Sequence, residues 1–132
     1  KSLEGGCLCT AVRYRVTGAP LMSGICHCRS CRKASGAPAV AWVTFEHKNF
    51  QLLSGTPRTF ESTAGVFRTF CATCGTPLTY ANDGSPATVD ITTISLDEPE
   101  LFPPTREGWL EHRLSWEAVD PARERFLKNA SN

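Results

Sequence analysis

Seven cysteines in 132 residues constrain this chain more than any other feature. An odd count leaves at least one thiol unpaired if disulfides form. In a reducing compartment, clustered cysteines more often hold metal than bridge. The spacing favours metal. Cys7 and Cys9 form a CxC pair, Cys26, Cys28 and Cys31 form CxCxxC, and Cys71 and Cys74 form CxxC followed by Gly75.

Zinc bound by four thiolates wants its sulfurs at tetrahedral corners, about 2.3 Å from the ion. A CxxC turn brings two sulfurs to one side of that tetrahedron. A glycine after the second cysteine allows the positive φ that such a turn needs. In an extended CxC, the side-chain period of two puts both sulfurs on one face. Cys7, Cys9, Cys71 and Cys74 are therefore expected to close a structural site that pins the N-terminal strand to a distant hairpin. The competing readings are a redox pair at Cys71–Cys74 or buried, unliganded cysteines, but redox pairs usually open a helix. Gly75-Thr76-Pro77 argues against a helix here.

Cys28 and Cys31 lie one helical turn apart and can face a common point. Cys26 reaches that point from the end of a preceding strand. Three ligands leave one tetrahedral corner free, the arrangement of catalytic rather than structural zinc. His47, Asp90, Glu111 and His112 are the candidates to close this second site as a fourth ligand. His27 is expected to project away from the metal, as a structural histidine or a substrate contact. Three thiolates make zinc a weak Lewis acid that suits a soft ligand such as a substrate thiol. Two zinc ions per chain are expected, one structural and one catalytic.

The rest of the sequence is that of one ordinary globular domain over residues 1–132, 41% hydrophobic and 20% charged. A net charge of +1 with scattered basic residues gives no strong attraction to nucleic acid or anionic membranes. Apolar runs fall far short of the roughly 20 residues of a membrane span. The start has no apolar signal-peptide core, so the expected location is cytoplasmic.

Residues 10–16 alternate, with Val12, Tyr14 and Val16 on one side, and read as a half-buried strand. Residues 39–45, 59–62, 66–70 and 87–94 read as further strands. A helical turn is expected at 28–34, and a second short helix at 121–128, capped by Asp120 with Pro121 at its first position. Residues 97–105 read as a surface loop. The aromatics Trp42, Phe45, Phe60, Phe67 and Phe70 are expected in the core, with Trp109 and Trp116 the candidates to lie outside it. Arg29, Arg32 and Lys33 are either surface charge or attractants for a substrate carboxylate. The fold class is mainly β, mostly antiparallel, with one or two short helices.

The blocks GGCLCTAVRY, CHCRSCRKASGAP and FRTFCATCGTPL resemble the glutathione-dependent formaldehyde-activating enzyme family, which includes centromere protein V. The combined pattern is highly specific and runs from about Gly5 to Leu78, continuing more loosely toward Trp116. The resemblance implies a β-tent of small antiparallel sheets around zinc. It implies that Cys7, Cys9, Cys71 and Cys74 hold structural zinc and that Cys26, Cys28 and Cys31 hold catalytic zinc. It also implies carbon–sulfur lyase activity of the S-(hydroxymethyl)glutathione synthase type, joining glutathione and formaldehyde. The tail departs from the family, with Asp120-Pro121-Ala122-Arg123-Glu124-Arg125 in place of a Gly-Leu-Pro stretch. A different low-molecular-weight thiol, and a non-catalytic zinc module with a protein partner, therefore stand as alternatives.

Overall fold

A computed structural model of the chain describes residues 2–130. Its strands are β1 (Ser2–Gly6), β2 (Arg13–Thr17), β3 (Met22–Cys26), β4 (Val40–Glu46), β5 (Phe50–Ser54) and β6 (Arg58–Thr63). They continue as β7 (Val66–Phe70), β8 (Pro77–Asn82), β9 (Thr88–Thr92), β10 (Arg106–Gly108) and β11 (Glu124–Arg125). One α-helix, α1 (Arg29–Ser35), follows β3. The fold class is mainly β, as the sequence suggests.

The strands form two sheets. The smaller has the order β1-β2-β5 and is antiparallel throughout. The larger has the order β11-β10-β3-β4-β9-β8-β7-β6 and is antiparallel from β3 to β6. At its other end β10 runs parallel to both β3 and β11.

Strand alternation decides which side chains meet between the sheets. Val12, Tyr14 and Val16 pack from the small sheet against Val43 and Phe45 of β4, Leu78 of β8 and Ile91 of β9. The predicted alternation at 10–16 is therefore the core face. Tyr14 is fully buried, stacks on Phe50 with ring centroids 5.3 Å apart, and meets the Ser95 hydroxyl at 2.7 Å. Burying one such large side chain is worth roughly 1.5–3 kcal/mol. Gly5 is required by this packing, because a Cβ there would sit 2.4 Å from Tyr14 Oη.

The opposite face of the large sheet carries Trp42 and Thr44 of β4, Asp90 of β9, Tyr80 of β8 and Arg68 of β7, and these line a cavity. That placement corrects the expectation of a purely core role for the aromatics. Phe45 is in the core, where it meets Phe102 edge-on. Trp42 walls the cavity, and Phe67 and Phe70 are half-buried. Phe60 is 61% exposed because its strand is the last in the sheet, with no neighbour beyond it. Trp116 is exposed, as anticipated for the tail.

The second expected helix does not form. Asp120 does cap a turn, accepting from the Ala122 N–H at 2.9 Å. The chain then extends rather than coils, because the edge of β10 captures its amides. Glu124 N–H donates to Thr105 O and Phe126 N–H to Glu107 O. Residues 109–111 in turn donate to the carbonyls of Lys128, Phe126 and Leu127. The tail is thereby laid beside the cavity, whose wall includes Trp109, His112, Asn129 and Ala130. The loop at 97–105 contains a short 3-10 turn at Pro99–Leu101 and inserts Phe102 into the core.

Candidate metal centre

Two cysteine groups assemble in space as their spacing suggests. The sulfurs of Cys7, Cys9, Cys71 and Cys74 all lie within 4.8 Å of one another. Cys7 Sγ is 3.6 Å from Cys9 Sγ, which is 3.7 Å from Cys71 Sγ. Four sulfurs about 2.3 Å from one tetrahedral ion stand about 3.8 Å apart. Both distances fit that edge, so the group could hold a metal ion of the size and softness of zinc.

Local backbone geometry builds each half. Cys71 ends the approach from β7, and Cys71 N–H donates to Thr76 O across the turn that leads into β8. Gly75 sits at φ 80° and donates to Cys71 O, the left-handed turn expected after the second cysteine. No helix opens at Cys71–Cys74, which removes the structural basis of the redox reading. The CxC half differs from the extended geometry expected. Cys7 and Cys9 lie in a turn closed by Thr10 N–H donating to Cys7 O, with Thr10 at φ 68°. The turn aims both sulfurs at one point while leaving Leu8 85% exposed.

Donors converge on these sulfurs. Val12 N–H reaches Cys7 Sγ at 3.2 Å, and the amides of Thr73 and Cys74 reach Cys71 Sγ at 3.4 Å. The Thr76 hydroxyl lies 3.3 Å from Cys74 Sγ and brings that thiol down to about 5. A thiol that ionises easily is a ready metal ligand.

The second group is Cys26, Cys28 and Cys31, again with all sulfurs within 4.8 Å. Cys26 ends β3, Cys28 caps α1, and Cys31 lies in the first turn of that helix. Cys28 Sγ accepts from Cys31 N–H at 3.3 Å, so the thiol itself serves as the helix cap. At the other end Gly36, at φ 72°, donates to Arg32 O. Hydrogen bonding with the Cys26 thiol holds Cys28 far below the ordinary thiol range, and the same contact pushes Cys26 up. Arg68 adds to this polarity, with its guanidinium nitrogen 3.6 Å from Cys31 Sγ.

Among the described residues no histidine or carboxylate joins this trio as a fourth ligand. His47 lies in an exposed 3-10 turn, and Glu111 is exposed beside His112. His112 and Asp90 line the cavity without approaching all three sulfurs. The trio opens instead onto the cavity, about 320 Å3 in volume, at the lower end of the range of small-molecule sites.

His27 is a structural residue. It is 1% exposed, its N–H donates to Gly108 O at 3.0 Å, and its Nε2 lies 2.6 Å from Glu107 Oε1. Glu107, also 1% exposed, takes Arg123 Nη1 on its other oxygen at 2.7 Å. This buried chain fixes the segment between Cys26 and Cys28 to β10 and the tail. Of Arg29, Arg32 and Lys33, only Arg29 lines the cavity. Arg32 spends its guanidinium on His112 O at 3.0 Å, and Lys33 is exposed away from the cavity.

Sequence reasoning missed Arg68, Tyr80 and Thr44 as cavity residues, and weighed Asp90 only as a metal ligand. Alternation offered a signal for Thr44 and Asp90, which lie between core residues on their strands, whereas Tyr80 follows a register shift in β8 and Arg68 lies in a strand that is half-buried throughout.

Comparison with known proteins agrees with this architecture. The family model described as glutathione-dependent formaldehyde-activating enzyme matches residues 2–112. No curated protein matches the chain. A crystal structure of a Rhodobacter sphaeroides protein is similar with a TM-score of 0.62 and 17% identity. The match covers 94% of this chain and 99% of that one, and at this identity it speaks to fold alone.

Proposed function

The chain belongs to the glutathione-dependent formaldehyde-activating enzyme family, and on that premise we propose that it is a zinc-dependent carbon–sulfur lyase acting on a thiol–aldehyde adduct. The substrates in this reading are a low-molecular-weight thiol of the glutathione type and a small aldehyde such as formaldehyde. Cys7, Cys9, Cys71 and Cys74 take the structural zinc, and Cys26, Cys28 and Cys31 the catalytic one. The observation that carries the reading is the contrast between the two groups. Four sulfurs close around one point, whereas three open onto a cavity without a fourth protein ligand.

When bound at the open site, zinc supplies the positive charge that keeps a coordinating thiol deprotonated. The chain's own residues do the remainder. Trp42, Met22 and Trp109 wall the cavity and limit water around the reacting groups. The walls hold thiol and aldehyde together, which converts an encounter into a positioned reaction. The carbon–sulfur bond forms as the carbonyl electron pair moves onto oxygen. The thiol proton is released to water, and the oxygen takes a proton from water. Arg68, beside Cys31, stands where its guanidinium can donate to that oxygen as charge builds. Reversal breaks the same bond.

The test is the exchange rate between free glutathione, formaldehyde and their adduct, measured by magnetisation-transfer NMR with catalytic amounts of protein. Acceleration that disappears in Cys31→Ala is expected. Exchange at the uncatalysed rate would favour the non-catalytic zinc module.

A further inference from the structure

Strand register sets a row of side chains along the cavity floor. Met22 of β3 faces Thr44 of β4, Thr44 faces Asp90 of β9, Asp90 faces Tyr80 of β8, and Tyr80 faces Arg68 of β7. All five line the cavity that holds the cysteine trio. Directly opposed residues share a face. Neighbouring strands lie about 4.8 Å apart, so Asp90 stands about 10 Å along the row from Arg68. Arg68 is the member that touches Cys31. The row thus leads from the cysteines to a carboxylate.

Asp90 is incompletely partnered. Thr44 Oγ1 donates to it at 2.5 Å, and among the described residues no lysine, arginine or histidine pairs with it. Arg68 lies instead beside Cys31 and over the Tyr80 ring at 5.1 Å. Burial raises the Asp90 pKa, the direction expected for a carboxyl withdrawn from water without a cation. A buried charge without a partner is costly, and one on a cavity wall can be completed by a ligand.

The cavity also continues past this point. A second chamber of about 350 Å3 adjoins it, and Met22, Thr44, Tyr80, Asp90, Asn129 and Ala130 border both. Asn82, Ser85 and Thr88 add polar walls, and Asp90 is the one charged residue among those lining it. A chamber whose single charge, among the described residues, is a half-buried carboxylate favours a cation.

We infer that Asp90 binds a protonated amine of the thiol substrate and thereby selects thiols that carry an ammonium group. The inference rests on the reading that the thiol occupies the open side of the cysteine trio. The ammonium donates to the free Asp90 oxygen while Thr44 keeps the other one oriented, a charge-assisted hydrogen bond. Thiols bearing only carboxylates gain nothing at this end. Asp90 is accordingly a specificity residue and takes no part in bond making.

Calorimetric titration of the metal-loaded protein with two thiols tests this. One is glutathione, and the other is glutaryl-cysteinylglycine, which is glutathione with hydrogen in place of its amine. The wild-type protein should bind glutathione about 10- to 100-fold more tightly, the ratio expected for a hydrogen bond to a charged group. Asp90→Asn keeps the oxygen that Thr44 needs, so it should fold, as a melting curve will verify. It should weaken glutathione alone and bring the two affinities together. Equal affinities in the wild-type protein overturn the inference while leaving the thiol site intact. Discrimination that persists in Asp90→Asn also overturns it. Failure of both thiols to bind overturns the thiol site itself, and the assignment of Asp90 with it.

Discussion

Replacing Glu107 by alanine should destabilise the fold strongly, although Glu107 is far from the four-cysteine group in sequence. The carboxylate is 1% exposed and joins His27 Nε2 at 2.6 Å to Arg123 Nη1 at 2.7 Å. Its removal leaves a buried imidazole and a partly buried guanidinium without their shared acceptor. Hydrogen bonds to charged groups contribute about 1.5–3 kcal/mol each, and breaking one side of a buried pair costs about 3–5 kcal/mol. We take about 4 kcal/mol as the expected loss. The unfolding entropy of a chain this size is about 0.28 kcal/mol/K, so the melting temperature should fall by about 14 °C. Glu107→Gln keeps the shape and one acceptor oxygen and should lose roughly half as much. Since Glu107 and Gly108 pair with Ile25 and Cys26, and His27 N–H donates to Gly108 O, a metal held by the trio should be released to chelator faster in both variants. Thermal and urea unfolding, followed by circular dichroism, measure the first effect, and chelator competition measures the second. A Glu107→Ala protein within 1 kcal/mol of wild type, with unaltered metal release, would refute the reasoning.

Two further outcomes follow from the same structure. Cys74→Ala removes one of the four sulfurs proposed to hold zinc between the β7–β8 turn and the N-terminal segment, and zinc at such sites is worth on the order of 10 kcal/mol in folding. Expression should give insoluble protein, and soluble, folded Cys74→Ala with undiminished zinc would contradict the assignment. Asp97 forms a bidentate pair with Arg13 at 2.9 and 2.5 Å, and the guanidinium lowers its pKa. A lowered folded pKa contributes stability above the unfolded value, near 4, that is lost as pH falls through the folded one. Both side chains are partly exposed, so the contribution is at most about 1 kcal/mol. The stability difference between wild type and Asp97→Asn should shrink on acidification from pH 6 to pH 3, and a difference that grows would contradict it.

Local chemistry was legible in the sequence wherever a few adjacent residues fix the outcome. The spacing of Cys26, Cys28 and Cys31 anticipated both their convergence and the short helix, because one turn of helix sets two of the three sulfurs. Gly75 announced its left-handed turn, and the alternation of Val12, Tyr14 and Val16 marked a core face. What escaped notice depends on partners distant in sequence. The cavity row joins residues 22, 44, 90, 80 and 68, and only cross-strand register puts them side by side. The tail shows the same limit. Asp120 and Pro121 are sound helix-start signals, yet the amides beyond them bind the edge of β10 instead. Phe60 likewise looks like core material until its strand proves to be the outermost of the large sheet.

The central claim is that Cys26, Cys28 and Cys31 hold a metal with one side open to a substrate thiol. The most direct measurement is the absorption spectrum of the cobalt-substituted protein during titration with glutathione, alongside Cys31→Ala. Two metal ions per chain are expected, with a sulfur-to-cobalt band that shifts as glutathione binds and a variant that retains one ion and shows no shift. A spectrum unchanged at millimolar glutathione, or an equal shift in Cys31→Ala, would contradict the claim.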